Sequence, residues 1–290
     1  MNALVAALLA DGRLHLQHGP IDLVIAAEAP DRAIVLRAYR AAAGRLKGLL
    51  AALVAELPVL RARVGDACPA VHGPVAQRMA AAVWPHRDVF ITPMAAVAGS
   101  VADEILAAMI AVAALERAYV NNGGDIAVHL APGQSYRVGV VGDLAAPAID
   151  ATITLDANHA CGGTATSGWR GRSLCLGIAD AVTVLAATAA AADAATKPIA
   201  MAVNADHPAI RRVPARSVRD DSDLGELPVV VDVGPLPAAV IAAALARGVA
   251  TARVLQARGL IHSAYLQLKG ECRIIPPLCA GAALPRKAVA

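Results

Sequence analysis

Apolar and polar residues alternate in RLHLQ and again in DLVIAA (22–27), and the HGPI segment between them contains Gly19-Pro20, which stops any helix. This pattern predicts a β-hairpin near the start of the chain. From Arg32 to about Glu56 the period changes: apolar residues recur every three or four positions, Arg37, Arg40, Arg45 and Lys47 stand between them, and Asp31 is placed to cap the run. One amphipathic helix is expected there. A second should start at Gly73-Pro74 and run to about Val83, ended by Pro85. PMAAVAGSVADEILAAMIAVAALERA (93–118) reads as a loop feeding a long Ala-rich helix, with Pro93 just outside its start. Short strands are expected at 118–120, 125–130, 135–141 and 149–155, with Gly133 in the hairpin between the second and third.

In the second half, ADAVTVLA (179–186) has the β-branched, uniformly apolar character of a buried strand, and a helix should follow from about Thr188. The order repeats with PVVVDVG (228–234) as strand, 236–259 as helix and LIHSAYLQL (260–268) as strand. TATSGWRGRS (164–173) reads as a loop, and 207–228 as one long polar connection. The expected class is α/β, with mixed, mainly antiparallel sheets packed with helices. The chain should form a single domain, with room for two intimately packed α/β subdomains.

Composition narrows the picture. Of 290 residues 57% are hydrophobic but only 2% aromatic, so the interior must be built from Ala, Val, Leu and Ile. The formal charge is only +3, with no run of Lys and Arg to track a phosphate backbone, which argues against nucleic acid. The N-terminus lacks a basic region or cleavage site, and charges interrupt the other Ala/Leu-rich stretches before ~18 apolar residues accumulate. A soluble protein away from the membrane is expected. Five Cys with no C-x-x-C spacing fit a reduced cytoplasm better than a disulfide framework or a zinc ribbon. The Ala-rich helices offer flat faces suited to a homodimer.

Four segments could carry chemistry. In VNNGGDIAVHL (120–130) paired glycines between strands permit φ > 0 and a bare backbone that a phosphate or flat ring can approach; the same residues equally make an Asn-Gly hairpin turn. GSVADEI (99–105) places Asp103 and Glu104 in a helix after Gly99, which also suits a small-residue packing face. TATSGWRGRS gathers hydroxyls, glycines and two arginines, a composition suited to phosphate oxygens or to a solvated turn. In AADAATK (191–197) Asp193 shares a helix face with Thr196 and Lys197, a pairing able to hold a hard cation or merely to face solvent. The eight His have no H-x-x-x-H spacing, and no G-x-S-x-G or P-loop occurs, so serine hydrolases and P-loop NTPases drop out. His18, His129 and His159 lie near predicted strand ends, where they could meet or serve as three separate structural histidines.

Taken in order, PMAAVAGSVAD, VNNGGDIAVHL, TATSGWRGRS and ADAVTVLAATAAAADAAT resemble the ApbE-like superfamily, whose defining members are FAD:protein FMN transferases. HGPIDL and SDLG resemble a bacterial and archaeal branch of it. The resemblance implies that Gly99, Asp103, Asn122, Gly123, Gly124, Asp125, Thr166, Ser167 and Gly168 cradle FAD. It also implies Mg²⁺ held by Asp193 and a threonine four residues on; here Thr196 lies three on and Lys197 occupies the fourth position, where its ammonium could replace the metal. The transferases carry a histidine and an Asp-Pro turn after the TSG loop, whereas this chain reads SLCLGIADAV, leaving Asp180 as the substitute catalytic base.

Three functions follow: transfer of FMN from FAD to a threonine of an acceptor protein, a different small-molecule enzyme acting on a pterin-like or other flat heteroaromatic ligand, or a flavin carrier without catalysis.

Overall fold

The computed structural model describes residues 4–140, 151–157, 161–171 and 173–278. In chain order its strands are β1 (Val5–Leu8), β2 (Leu14–His18), β3 (Ile21–Glu28), β4 (Arg117–Asn122), β5 (Asp125–Leu130), β6 (Ser135–Val140), β7 (Ala151–Asp156), β8 (Gly163–Ser167), β9 (Ala181–Ala186), β10 (Ile210–Pro214), β11 (Pro228–Val233), β12 (Ser263–Leu268) and β13 (Glu271–Ile275). The helices are α1 (Arg32–Leu46), α2 (Leu49–Ala55), α3 (Leu57–Leu60), α4 (Pro74–Val83), α5 (Val97–Ile110), α6 (Ala189–Ala202), α7 (Ala215–Val218) and α8 (Ala238–Ala257). They fall into two compact units: residues 1–136, 155–165 and 186–194 form one, and residues 137–154, 166–185 and 195–290 the other.

The first unit holds antiparallel neighbours in the order β1-β2-β3-β4-β5-β8. Alternation decides which face is covered. Leu14 and Leu16, Leu23 and Ile25, and Ala118 and Val120 are buried on one side, where they join a core with Ala38, Ala42 and Leu46 of α1 and Ile105, Leu106 and Met109 of α5. The alanines at these contacts let α1 and α5 pack against each other closely, as a core poor in aromatics requires. The Asp31 side chain accepts from the Ala33 N–H at 2.8 Å, as expected of the cap. The single helix expected over 32–56 is instead broken into α1 and α2. Gly48 adopts a left-handed φ of 75° at the junction and stops α1 as a C-terminal glycine does.

In the second unit β9, β12 and β13 are consecutive antiparallel neighbours, and β9 is buried along its whole length, as its apolar run predicts. Helix α8 packs on β12 and β13. The supposed polar connection 207–228 contains β10 and α7, and β10 pairs with β11. Its Arg211-Arg212 hides the strand from any hydrophobic pattern; the hydrogen-bonding partner creates it. TATSGWRGRS likewise begins not as loop but as β8, which residues of small side chain form by pairing with β5 (Ile126 opposite Thr164). β1 and β13 carried no expectation. His159, Arg172, Cys279 and 141–150, including the first residues of the strand expected from 149, lie outside the described residues.

Charge does interrupt two long apolar runs, at Asp103 and Glu104 in one and at Arg247 and Arg253 in the other, but not enough to set them apart by composition. Residues 93–110 and Ala238–Ala257 are long and apolar enough to cross a membrane by length and composition. Half of the first stretch and a third of the second is nevertheless buried within the fold, and α8 carries Arg247 and Arg253. The buried stripe of α5 through Val101, Ile105 and Met109 is that of a core helix.

Candidate functional site

In the first unit, three of the four marked segments converge on the N-terminal turns of α5 and α6. Asp103, on α5, accepts from the Ala189 and Ala190 N–H groups at 3.0 and 2.9 Å, so it caps α6 from a distant part of the chain. Asp193, on α6, accepts in return from the Gly99 N–H of α5 at 3.2 Å. Each helix thus places a carboxylate against the positive end of the other, where N–H groups have no intrahelical partner. Burial raises the Asp103 carboxyl above its ordinary 3.8; the amides of Ala190 and Ala189 and the charge of Arg78 oppose that shift, and the charge of Asp193 adds to it.

Close approach of backbones makes this exchange achievable. A Cβ on Gly99 would stand 2.3 Å from the Ala189 carbonyl oxygen, and one on Gly163 2.2 Å from the Ala189 nitrogen. A Cβ on Gly162 would stand 2.4 Å from the Ala187 carbonyl oxygen. The Gly162-Gly163 pair was not singled out in the sequence, although adjacent glycines ahead of a strand are a signal of such contact. Asn122, 7% exposed, donates from Nδ2 to the Ala98 carbonyl at 3.1 Å and ties the β4–β5 hairpin to the same junction.

At the hairpin tip Gly123 and Gly124 have φ of 66° and 112°, and the Gly124 N–H donates to Asn121 Oδ1 at 2.8 Å. Asn122 and Asp125 pair across it. A two-residue turn of this hand accounts for both glycines without a ligand. A Cβ on Gly124 would meet nothing within 4 Å, so its backbone is open on that side. Two buried hydroxyls of this unit, Ser100 Oγ and Thr164 Oγ1, have no hydrogen-bond partner. Buried polar atoms are ordinarily paired, and orphans of this kind suit a polar ligand or an ordered water. A cavity of about 350 Å³ lies elsewhere in this unit. It is lined by Glu28, Arg32, Tyr39 and Glu116 among apolar neighbours, contains none of the expected residues, and sets two carboxylates against one guanidinium, a poor balance for an anion.

The second unit gathers the remaining candidates. Thr166 and Thr183 share a hydroxyl hydrogen bond at 2.9 Å. Ser167, 6% exposed, accepts from Lys197 Nζ at 3.2 Å, and Ser173 accepts from the same ammonium at 3.5 Å. Gly168 has no room for a side chain, because a Cβ there would stand 2.1 Å from the Asp180 carbonyl oxygen. Asp180 is already committed: it accepts from Trp169 Nε1 at 2.9 Å and from the Lys269 N–H, and pairs with Arg170 at 3.4 Å. That engagement makes it a brace for the loop after β8 and a poor general base. Cys175 lies fully enclosed, with its thiol pushed up by burial, a shift that the Gly177 amide and Lys197 oppose.

Of the three histidines marked near strand ends, His159 lies outside the described residues. His129 Nε2 lies 3.2 Å from the Leu115 carbonyl oxygen, and His18 Nδ1 is buried without a partner.

The residues meant for Mg²⁺ do not fit it. Asp193 and Thr196 are only 4% and 0% exposed, and Asp193 already holds the Gly99 amide. Mg²⁺ dehydrates reluctantly and keeps several waters, which such an enclosed pair does not accommodate. Among the described residues no group of three or more His, Cys, Asp and Glu stands together as a donor set.

The family described as AbpE bacteria matches residues 6–274. Among solved structures, the chain is similar to the apo form of Pseudomonas stutzeri flavinyl transferase ApbE at 12% identity, covering 97% of this chain and 94% of that one with a TM-score of 0.45. It is also similar to the ApbE protein of Thermotoga maritima at 13% identity, covering 95% and 97% with a TM-score of 0.43. No curated protein matches it. With a family match running through every strand from β2 to β12, the chain belongs to the family described as AbpE bacteria.

Proposed function

We propose that this protein binds a flavin nucleotide and transfers FMN from FAD to a threonine of an acceptor protein. The observation that carries the reading is the family match, which takes in the segments around Gly99, Gly123, Ser167 and Asp193 in one uninterrupted span. The open backbone at Gly124 and the unpartnered hydroxyls of Ser100 and Thr164 support it, since they suit a ligand rich in oxygen and ring nitrogen acceptors. FAD, when bound, supplies the pyrophosphate whose cleavage joins FMN to the acceptor hydroxyl as a phosphoester and releases AMP. Gly99, Asp103 and Asn122 hold the two helix N-termini and the hairpin in register, and Gly123, Gly124 and Asp125 offer the bare turn. Thr166, Ser167 and Gly168 belong to the stretch that binds phosphate.

A second reading, flavin binding without transfer, is favoured by the engagement of Asp180 with Trp169, Arg170 and Lys269, which leaves the acceptor hydroxyl without an evident base. One experiment separates the two. The purified chain is incubated with FAD and a threonine-bearing acceptor peptide, and both peptide mass and FAD integrity are followed. Transfer adds the mass of FMN less water to the peptide and yields AMP in equal amount; unmodified peptide beside intact, protein-bound FAD favours the carrier. Failure to bind FAD at all ends both.

A further inference from the structure

The cavity of about 350 Å³ in the first unit lies where the β1–β2 hairpin, the end of β3 and the first turns of α1 meet. β4 starts beside it at Arg117 and ends six residues on at Asn122, so the Gly123-Gly124 turn stands about 20 Å away at about 3.3 Å per residue. The cavity is therefore separate from the junction of α5 and α6, and its volume falls within the range of about 300–1,000 Å³ that small-molecule sites occupy.

Its charges are not settled within the fold. Glu28 is paired with Arg117 at 2.8 Å, and Asp11, whose charge reaches Tyr39 at the cavity, is paired with Arg13 at 2.7 Å. Arg32 and Glu116 are left. Both line the cavity and both are exposed, yet among the described residues no ion pair joins them to each other or to a third group. The charge of Glu116 acts only at longer range on Arg117, which Glu28 already holds. Opposite charges that share a cavity without touching suit a ligand that brings a partner for each. The rest of the lining has a different character. Leu8, 50% exposed, stands with Val35 and Leu36 as an apolar wall. Tyr39 spends its one proton on the Gly12 carbonyl oxygen at 3.2 Å, so its oxygen can only accept from a bound molecule.

We infer that this cavity binds a small zwitterion with an apolar side chain, the class of the free aliphatic and aromatic α-amino acids. The Arg32 guanidinium takes the carboxylate through parallel N–H groups, Glu116 and the Tyr39 oxygen accept from the ammonium, and Leu8, Val35 and Leu36 cover the hydrocarbon. A phosphate is refused by the two carboxylates, so the site is not a second place for a nucleotide. The inference stands on the cavity and its charges and does not depend on the flavin reading.

The test titrates the full-length chain with L-leucine and L-phenylalanine by saturation-transfer NMR. Saturable binding of at least one is expected. Glycine, which lacks the side chain, isocaproate, which lacks the ammonium, and isoamylamine, which lacks the carboxylate, should each bind more weakly than L-leucine. Glu116→Gln and Arg32→Gln should each weaken binding about three- to tenfold, the range for a partly exposed charged contact, and Arg32→Lys should keep part of it. Neither side chain carries a hydrogen bond within the fold, so both variants should fold, which circular dichroism checks. The ligand series on the unaltered chain keeps the proposal testable if they do not. No saturable binding, isocaproate or isoamylamine binding as tightly as L-leucine, or affinity indifferent to both substitutions overturns it. FAD is added last: bound amino acid that FAD leaves in place supports a separate site, and displacement by FAD overturns it. Failure of the chain to bind FAD removes the flavin reading and leaves the amino-acid result standing.

Discussion

The junction of α5 and α6 makes a prediction in which one substitution has opposite effects at two sites. Replacing glycine by alanine inside a helix ordinarily stabilises by about 1 kcal/mol, through helix propensity and a less flexible unfolded chain. Gly44, exposed on α1, has nothing within 4 Å of where a Cβ would stand, so Gly44→Ala should realise that gain. Gly99 also lies within a helix, but its Cβ would be 2.3 Å from the Ala189 oxygen, 2.5 Å from the Ala189 carbonyl carbon and 2.7 Å from the Ala190 nitrogen. These are backbone atoms and have no rotamer to give. Restoring ordinary contact requires α5 and the start of α6 to part by about 1 Å. That movement stretches the bonds from Ala189 and Ala190 to Asp103 and from Gly99 to Asp193. Overpacking costs about 1–3 kcal/mol and weakening one hydrogen bond to a charged group about 1.5–3 kcal/mol. Set against the gain of about 1 kcal/mol, Gly99→Ala should lose about 1.5–5 kcal/mol. Urea unfolding of the two variants beside the parent measures both, with the midpoint read at unchanged slope. A Gly99→Ala protein as stable as the parent, or stabilised like Gly44→Ala, would refute the reading of this junction as a packed exchange of caps.

Three further outcomes follow from the same geometry. Asp103→Asn keeps one acceptor and turns an NH₂ toward an N–H it formerly bonded, so stability should fall by about 1–3 kcal/mol. Because burial raises the Asp103 carboxyl above 3.8, its contribution to stability is fully present below that unfolded value and declines as pH rises through the folded one; urea midpoints across the acid range should show this slope in the parent and its loss in Asp103→Asn. Asp180→Asn should cost about 1–2 kcal/mol and shift the emission of Trp169, whose indole N–H it holds; unchanged stability and emission together with lost FMN transfer would make Asp180 catalytic after all. In alkylation followed by peptide mapping, exposed Cys68 should react first, while Cys161, pushed up to about 11 by burial, and Cys175 should react only on unfolding; early labelling of Cys175 would contradict its enclosure.

Elements whose cause is local were legible along the chain. The β2–β3 hairpin around Gly19-Pro20, the start of α1 at Asp31, α4 between Gly73-Pro74 and Pro85, and the buried strand β9 each rest on turn chemistry, a cap or an apolar period confined to a few residues. The elements misread, β8, β10 and the break at Gly48, have other causes: partners far along the chain for the two strands, and for the break a left-handed glycine that amphipathic spacing on both sides disguises.

The candidate site divides in the same way. Motif order was enough to mark Gly99, Asp103, Asn122 and Asp193 as belonging together, because family membership is written in residue type and sequence position. What each does there was not written so. Asp103 and Asp193 face helix N-termini across 86 and 94 positions of chain, Lys197 reaches a serine 30 positions away, and Asp180 is spent on Trp169, Arg170 and Lys269. A carboxylate's role depends on which donors surround it, and the folding of distant segments against one another selects those donors.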